Sequence, residues 1–293
     1  MFSGSLVAII TPMLADGQVD YVSLKKLLNY QVDNGTDGLV IMGTTGEAAT
    51  IPFSEQLTVM QFVIDEVRGR VKIIAGNGSN STAEAIEKTK QLNELAIDGF
   101  LTVTPYYNKP TQAGMVAHFK AVAAATDKPV LLYNVPGRTG VDMLADTVAK
   151  LTAVSNIVGI KEATGSLARL AELQKLCPND FLLLSGDDAS ACEFLLQGGH
   201  GVISVTTNVA PLAMSQMIKA AVQQDRTAAE QIDQTLQGLH RDLFIESNPI
   251  PSKWALWRLG LINSDFARLP LTQLEPIHQS AIEQALHQAN LKF

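Results

Sequence analysis

The stretch VLLYNVPGRTGVDMLADTVAKLTAVSNIVGIK, residues 130–161, reads as one strand, helix, strand unit. Its two ends, Val130 to Tyr133 and Ile157 to Ile160, are continuous apolar runs rather than alternating ones, as expected of strands covered on both faces in a parallel sheet. The same unit recurs outward in both directions. Leu6 to Ile10, Gly38 to Met42, Val71 to Ala75, Phe100 to Val103, Phe181 to Leu184 and Gly201 to Val205 bring the total to eight runs, with starts 20 to 33 residues apart. Between them lie helix-like segments such as Ala83 to Ala96, where Ile86, Leu92, Leu95 and Ala96 alternate with Glu84, Glu87, Lys88 and Lys90. Right-handed crossovers follow, and eight repeats point to an α/β fold, a closed (β/α)8 TIM barrel, where an open doubly wound sheet more often has about five or six strands. From about Pro211 only helical patterns remain, including Ala228 to Phe244, Ser252 to Leu259 and Leu274 to Ala289. The expected partition is a barrel over 1–224, with its active site at the strand C-terminal ends, and a small helical C-terminal extension over 225–293.

Composition narrows the function. The chain has 293 residues, 46% hydrophobic and 17% charged, enough to bury a core. With 22 Lys plus Arg against 29 Asp plus Glu, the net charge is -7 and no basic run is present, which argues against nucleic-acid binding. Cys177 and Cys192 form no framework, so a reducing compartment fits better than secretion and both read as small buried hydrophobes. MFSGSLVAII lacks a basic start and its apolar run ends at Thr11-Pro12, too short for a signal peptide or a membrane span. The expectation is a soluble cytoplasmic protein with no membrane partner.

In such a barrel the residues just after each strand face the active site. They are Thr11, the loop 43–47, Asn77, the loop 104–108, the loop 133–138, Lys161-Glu162, the loop 185–187 and Thr206-Thr207-Asn208, a wall of hydroxyls with one lysine and one arginine. Lys161 closes NIVGIK, so its amine is expected in the barrel mouth, where desolvation disfavours the ammonium and favours the free amine that attacks a carbonyl. A strand-end lysine can also be a solvated loop residue. Tyr133, on the neighbouring strand, fits a general acid/base or a core aromatic, and Arg138 fits a carboxylate fork or a surface arginine.

Other signals fall away. Gly76 to Ser81 resembles G-x-G-x-x-G but ends in serine, and no acidic residue stands where a ribose would need one. The loops SGDDAS and VTTNVA carry no Lys or Arg, which argues against phosphorylated substrates. The five histidines, His118, His200, His240, His278 and His287, lack metal-ligand spacing; most are expected on helix surfaces, and no catalytic metal is expected.

GTTGE at 43–47, TPYYNKP at 104–110, YNVPGRTG at 133–140, GIKEATG at 159–165 and SGDD at 185–188 together resemble the 4-hydroxy-tetrahydrodipicolinate (dihydrodipicolinate) synthase family, within the pyruvate-dependent class I aldolases and lyases. The likeness covers essentially the whole chain. It implies condensation of pyruvate with L-aspartate 4-semialdehyde, the first committed step of lysine and diaminopimelate biosynthesis. In that reading Lys161 forms the Schiff base, Tyr133 moves protons, and Thr44 and Tyr107 complete a relay in which the tyrosine is lent by a neighbouring subunit. Thr45 and the backbone at Gly186 and Ile203 surround pyruvate, and Arg138 takes the carboxylate of the semialdehyde. The imine serves as electron sink, so no cofactor and no metal is implied. The resemblance further implies a homotetramer built as a dimer of dimers. It also implies feedback inhibition by L-lysine at Ala49, Asn80, Glu84 and Tyr106, weakened by Phe53 and Gln56, where strongly sensitive members carry histidines. Asn80 and Glu84 also fit an ordinary helix N-terminus. Rival readings are an N-acetylneuraminate lyase or 2-keto-3-deoxy-sugar aldolase, which Arg138 argues against, and a non-catalytic barrel scaffold, which would have lost the lysine, the tyrosine or the relay hydroxyl.

Overall fold

In a computed structural model describing residues 2–293, all eight apolar runs are strands. They are β1 (Gly4–Ala8), β2 (Gly38–Ile41), β3 (Lys72–Gly76), β4 (Gly99–Val103), β5 (Val130–Asn134), β6 (Ile157–Glu162), β7 (Leu182–Ser185) and β8 (Gly201–Ser204). Every pairing is parallel, and β8 closes on β1. Helices α1 (Tyr21–Asp33), α2 (Phe53–Val67), α3 (Thr82–Asn93) and α4 (Gln112–Ala123) follow the first four strands. After β5 come α5 (Pro136–Thr139) and α6 (Ala145–Leu151), then α7 (Leu167–Leu176) and α8 (Ala191–Leu196). The chain ends in α9 (Pro211–Val222), α10 (Arg226–Asp242), α11 (Ile250–Arg258) and α12 (Pro276–Gln288).

Strand ends differ from the apolar runs by one or two residues because pairing, not hydrophobicity, sets them. Gly4, outside the first run, pairs with Gly201 and donates its amide to the carbonyl of His200. Helix starts follow side-chain chemistry. Asp20 accepts the amides of Val22 and Ser23 at α1, and Ser81, Thr111 and Asp225 do likewise at α3, α4 and α10.

Strand parity divides the apolar residues into two cores. Leu6, Val40, Ile74, Leu101, Leu131 and Leu184 fill the barrel, whereas their neighbours Val7, Leu39, Ile41, Ile73, Leu132 and Leu183 meet the helices. Among the described residues no helix is long and apolar enough to cross a membrane. Both cysteines are free, with burial pushing the Cys177 thiol up to about 11 and, with nearby carboxylates, Cys192 up to about 12; neither is a ready nucleophile.

The expectation that most histidines sit on helix surfaces is overturned. His118 is buried with Nδ1 against the Thr82 hydroxyl at 2.9 Å, and His240 is buried with Nδ1 against Thr206 at 2.9 Å. His200 accepts the amide of Leu183. Each ring ties a helix or loop to its neighbour, a role that helical spacing does not encode. Burial holds the His118 imidazole below its ordinary 6.5, so the native state stays neutral where the unfolded chain takes a proton. Its contribution is present above that value and lost as pH falls through the lowered native one. His118→Gln is therefore expected to lose less melting temperature than the parent between neutrality and about pH 5. Parallel melting curves would refute the assignment.

Candidate active site

Register places the two strongest candidates side by side. Tyr133 pairs with Lys161 across β5 and β6, and both point inward by the parity that sends Leu132 and Ile160 outward. Lys161 is 5% exposed, and its Nζ lies 4.3 Å from the centroid of the Tyr133 ring, over the face where a cation is favoured. Gly186 supplies the room. A Cβ there would stand 2.7 Å from Cε of Lys161 and 2.8 Å from Cβ of Ala163, so only glycine lets the lysine stem pass. The amine opens into a cavity of about 120 Å³. Thr44, Thr45, Tyr133, Arg138, Gly186 and Asn248 line it beside Lys161. A buried amine, hydroxyl donors and one guanidinium in so small a space suit a carbonyl compound bearing a carboxylate.

The outward partners of this pair are polar as well. Asn134 and Glu162 are in register directly behind Tyr133 and Lys161. The Asn134 amide donates to Glu162 Oε2 at 3.0 Å and to Asp142 Oδ1 at 2.8 Å, and its Oδ1 accepts the amide of Met143. Arg169, from α7, donates to both oxygens of Asp142 at 3.1 and 2.8 Å and stands 3.7 Å from Glu162. Arg169 holds the Asp142 carboxyl below its usual range, mainly by hydrogen bonding. Burial pushes Glu162 up, against the hydrogen bonds of Asn134 and Thr164 and the charge of Arg169.

Of the residues singled out from sequence, Lys161, Tyr133, Thr44, Thr45, Arg138 and Gly186 line one cavity. Arg138 is exposed at its mouth. Ile203 is buried within the barrel, opposite Leu6 in register, and is not part of the lining. Tyr107 is not brought there: its side chain is 89% exposed and its backbone takes a φ of 73°. Much of the expected wall of hydroxyls also turns away. Thr11 donates to the carbonyl of Gly46, the Asn77 amide donates to Thr89, and the Asn208 amide donates to the carbonyl of Ala8. The sequence reading missed Asn248, whose amide donates to Thr45 Oγ1 at 2.9 Å from a position 203 residues away. Its one local signal is the Asn-Pro turn opening α11.

Ala49, Asn80, Glu84 and Tyr106 lie elsewhere, on loops and at the start of α3. Glu84 Oε2 accepts the Ser79 hydroxyl at 2.8 Å, and the Asn80 carbonyl accepts the Asn108 amide. Gln56 is buried and its amide donates to the carbonyls of Ala48 and Ile51. The Lys88 ammonium lies 5.9 Å from the Phe53 ring centre. Among the described residues no cluster of three or more His, Cys, Asp or Glu is arranged to hold a metal.

Comparison with known proteins gives a consistent result. The model of the dihydrodipicolinate synthetase family matches residues 1–289. A 4-hydroxy-tetrahydrodipicolinate synthase of Pseudoalteromonas atlantica is 55% identical over 291 residues, 99% of each chain. The chloride-inhibited dihydrodipicolinate synthase of Acinetobacter baumannii, solved with pyruvate, is 47% identical and superposes with a TM-score of 0.97 over 100% of both chains. The Cyanidioschyzon merolae enzyme, solved with lysine bound, is 41% identical with a TM-score of 0.96 over 99% of each.

Arg169 is the only arginine within salt-bridge distance of Asp142 and Glu162 among the described residues. Arg169→Met is expected to destabilise the fold by about 2 kcal/mol at neutral pH, because it leaves both carboxylates unpaired. As the pH falls through the carboxylate range Glu162, whose proton affinity is raised, is neutralised before Asp142, whose affinity is lowered, and the deficit at acid pH should shrink. Thermal unfolding of parent and variant at the two pH values checks this; a deficit that grows on acidification would contradict it.

Proposed function

This chain belongs to the dihydrodipicolinate synthetase family, and from that membership we propose a reading of its site. It is a Schiff-base-forming lyase that condenses pyruvate with L-aspartate 4-semialdehyde to 4-hydroxy-tetrahydrodipicolinate in lysine biosynthesis. The observation that carries the residue roles is the buried Lys161 amine over the Tyr133 ring, in a small cavity that Thr44, Thr45 and Arg138 also line. The amine attacks the C2 carbonyl of pyruvate; loss of water gives the imine, and loss of a C3 proton gives the enamine. The enamine carbon attacks the aldehyde. The α-amine of the semialdehyde then attacks C2, closes the ring and releases Lys161. Tyr133 is the group close enough to the amine to pass protons in these steps. Thr45 and the Gly186 backbone hold the pyruvate carboxylate, with Ile203 packed in the barrel beneath, and Arg138 forks onto the carboxylate of the semialdehyde.

Thr44 and Tyr107 form the proton relay, Tyr107 entering from a neighbouring subunit. Its exposure and its place outside the lining of its own cavity support a role in trans. A site completed by a neighbour favours an oligomer, here a homotetramer built as a dimer of dimers. L-lysine binds at Ala49, Asn80, Glu84 and Tyr106, with Glu84 facing its ammonium. Two features argue for weak inhibition: the Gln56 amide is already committed to two carbonyls, and Phe53 offers an apolar ring beside Lys88.

Borohydride reduction in the presence of pyruvate is expected to add a stable mass at Lys161, and Lys161→Ala should lose both the adduct and about three orders of magnitude or more in turnover while keeping its fold. Turnover with N-acetylmannosamine in place of the semialdehyde would move the assignment to the amino-sugar lyases. A kinetic titration with L-lysine should show partial inhibition reaching its plateau only at millimolar concentrations; a flat response would remove the regulatory reading.

A further inference from the structure

The most deeply buried ion pair among the described residues lies beside the cavity and is not used in the chemistry above. Glu47 and Lys253 pair with both side chains 0% exposed. Glu47 ends the GTTGE loop after β2, two residues beyond Thr45, and Lys253 is on α11. Lys253 also donates to the carbonyl of Phe266 at 2.7 Å, and the second Glu47 oxygen accepts the amide of Arg268 at 3.1 Å. Arg268 in turn forks onto Glu55 with two bonds of 2.7 Å. The α11 segment meets the same loop a second time where the Asn248 amide donates to Thr45 Oγ1.

We propose that the Glu47–Lys253 ion pair is a positioning device that fixes the Thr44–Thr45 loop against α11, so that the Thr45 hydroxyl presents its proton to the keto acid carboxylate. Three observations carry this. First, Glu47 holds a left-handed backbone with φ 59°, disfavoured for a residue with a Cβ, inside a tight turn in which its amide donates to the Thr44 carbonyl. A loop in that conformation stays put only when its surroundings over-determine it, and Glu47 is its anchored end. Second, two desolvated charges cost more than an apolar pair of the same volume, so fold stability alone does not account for them. Third, Asn248 uses the oxygen of Thr45 as an acceptor, which leaves the Thr45 hydroxyl proton free to point into the cavity.

This inference rests on the reading that Thr45 receives the pyruvate carboxylate. The test compares the parent with Lys253→Met, the double variant Glu47→Gln/Lys253→Met, and Glu47→Asp, each followed by melting temperature, KM for pyruvate and for the semialdehyde, and borohydride trapping. Lys253→Met leaves the Glu47 carboxylate buried without its cation and should lower the melting temperature. The double variant removes both charges and should recover most of it. Its KM for pyruvate is nevertheless expected to stay raised about tenfold, with the KM for the semialdehyde near the parent value because Arg138 stands on a different loop. Glu47→Asp keeps the charge but retracts the carboxylate, and should raise the pyruvate KM about threefold even if the double variant does not fold. Parental pyruvate KM in whichever of these two variants folds overturns the proposal and leaves the pair a purely structural one. Failure of the parent to be trapped with pyruvate would instead overturn the reading of the site itself.

Discussion

The pairing of β5 with β6 is the constraint on which the rest of the site depends. One register brings Tyr133 beside Lys161 on the inner face and Asn134 beside Glu162 on the outer face. Because side chains alternate along a strand, a slip of β6 by one residue would turn the Lys161 amine outward into the helix layer and bring Glu162 into the barrel, away from Asn134. The two faces therefore specify each other. The hydrogen bond between Asn134 and Glu162, closed by Asp142 and Arg169, is satisfied only in the register that also juxtaposes the reactive pair.

An apolar barrel is a poor solvent for an amine, a phenol and two threonines, and each has to be held by something other than water. On the β5 and β6 side the holders are the Asp142–Arg169–Glu162 group. On the β2 side they are Asn248 and the Glu47–Lys253 pair. Burial pulls the Lys253 ammonium below its ordinary value, with the Glu47 carboxylate working against that. Such groups raise the cost of folding, and their placement directly behind the cavity lining fits the need for fixed donors that do not reorganise during reaction.

The barrel was legible because its information is local. Continuous apolar runs at regular spacing need no tertiary knowledge, and Lys161 and Tyr133 could be found as strand-end residues on neighbouring strands. What escaped depended on contacts across the chain. Asn248 reaches Thr45 over 203 residues and Lys253 reaches Glu47 over a similar span, yet neither position carries a pattern beyond an Asn-Pro turn and a helical lysine. The same limit explains the strand-end hydroxyls. Thr11, Asn77 and Asn208 stand where residues of the site stand, but their bonds to Gly46, Thr89 and Ala8 close the loops on one another. Position relative to a strand says that a side chain is near the mouth; only its partner says whether it faces in.

The wall formed by β5, β6 and the β2 loop is fixed by buried bonds on every side, whereas the TPYYNKP loop carries Tyr107 outward, with left-handed backbone at both Tyr107 and Lys109. That loop is anchored at its base, where the Tyr107 amide donates to the Thr139 carbonyl, one residue beyond Arg138. That loop is ordered by the site's own turn, yet its aromatic stays exposed and is free to meet another surface. In the proposed reading that surface is the cavity of a neighbour, so the turn that sets Arg138 in one subunit also sets the tyrosine serving the next. Assembly and substrate recognition then share a single piece of backbone, and a change in either would be felt in both.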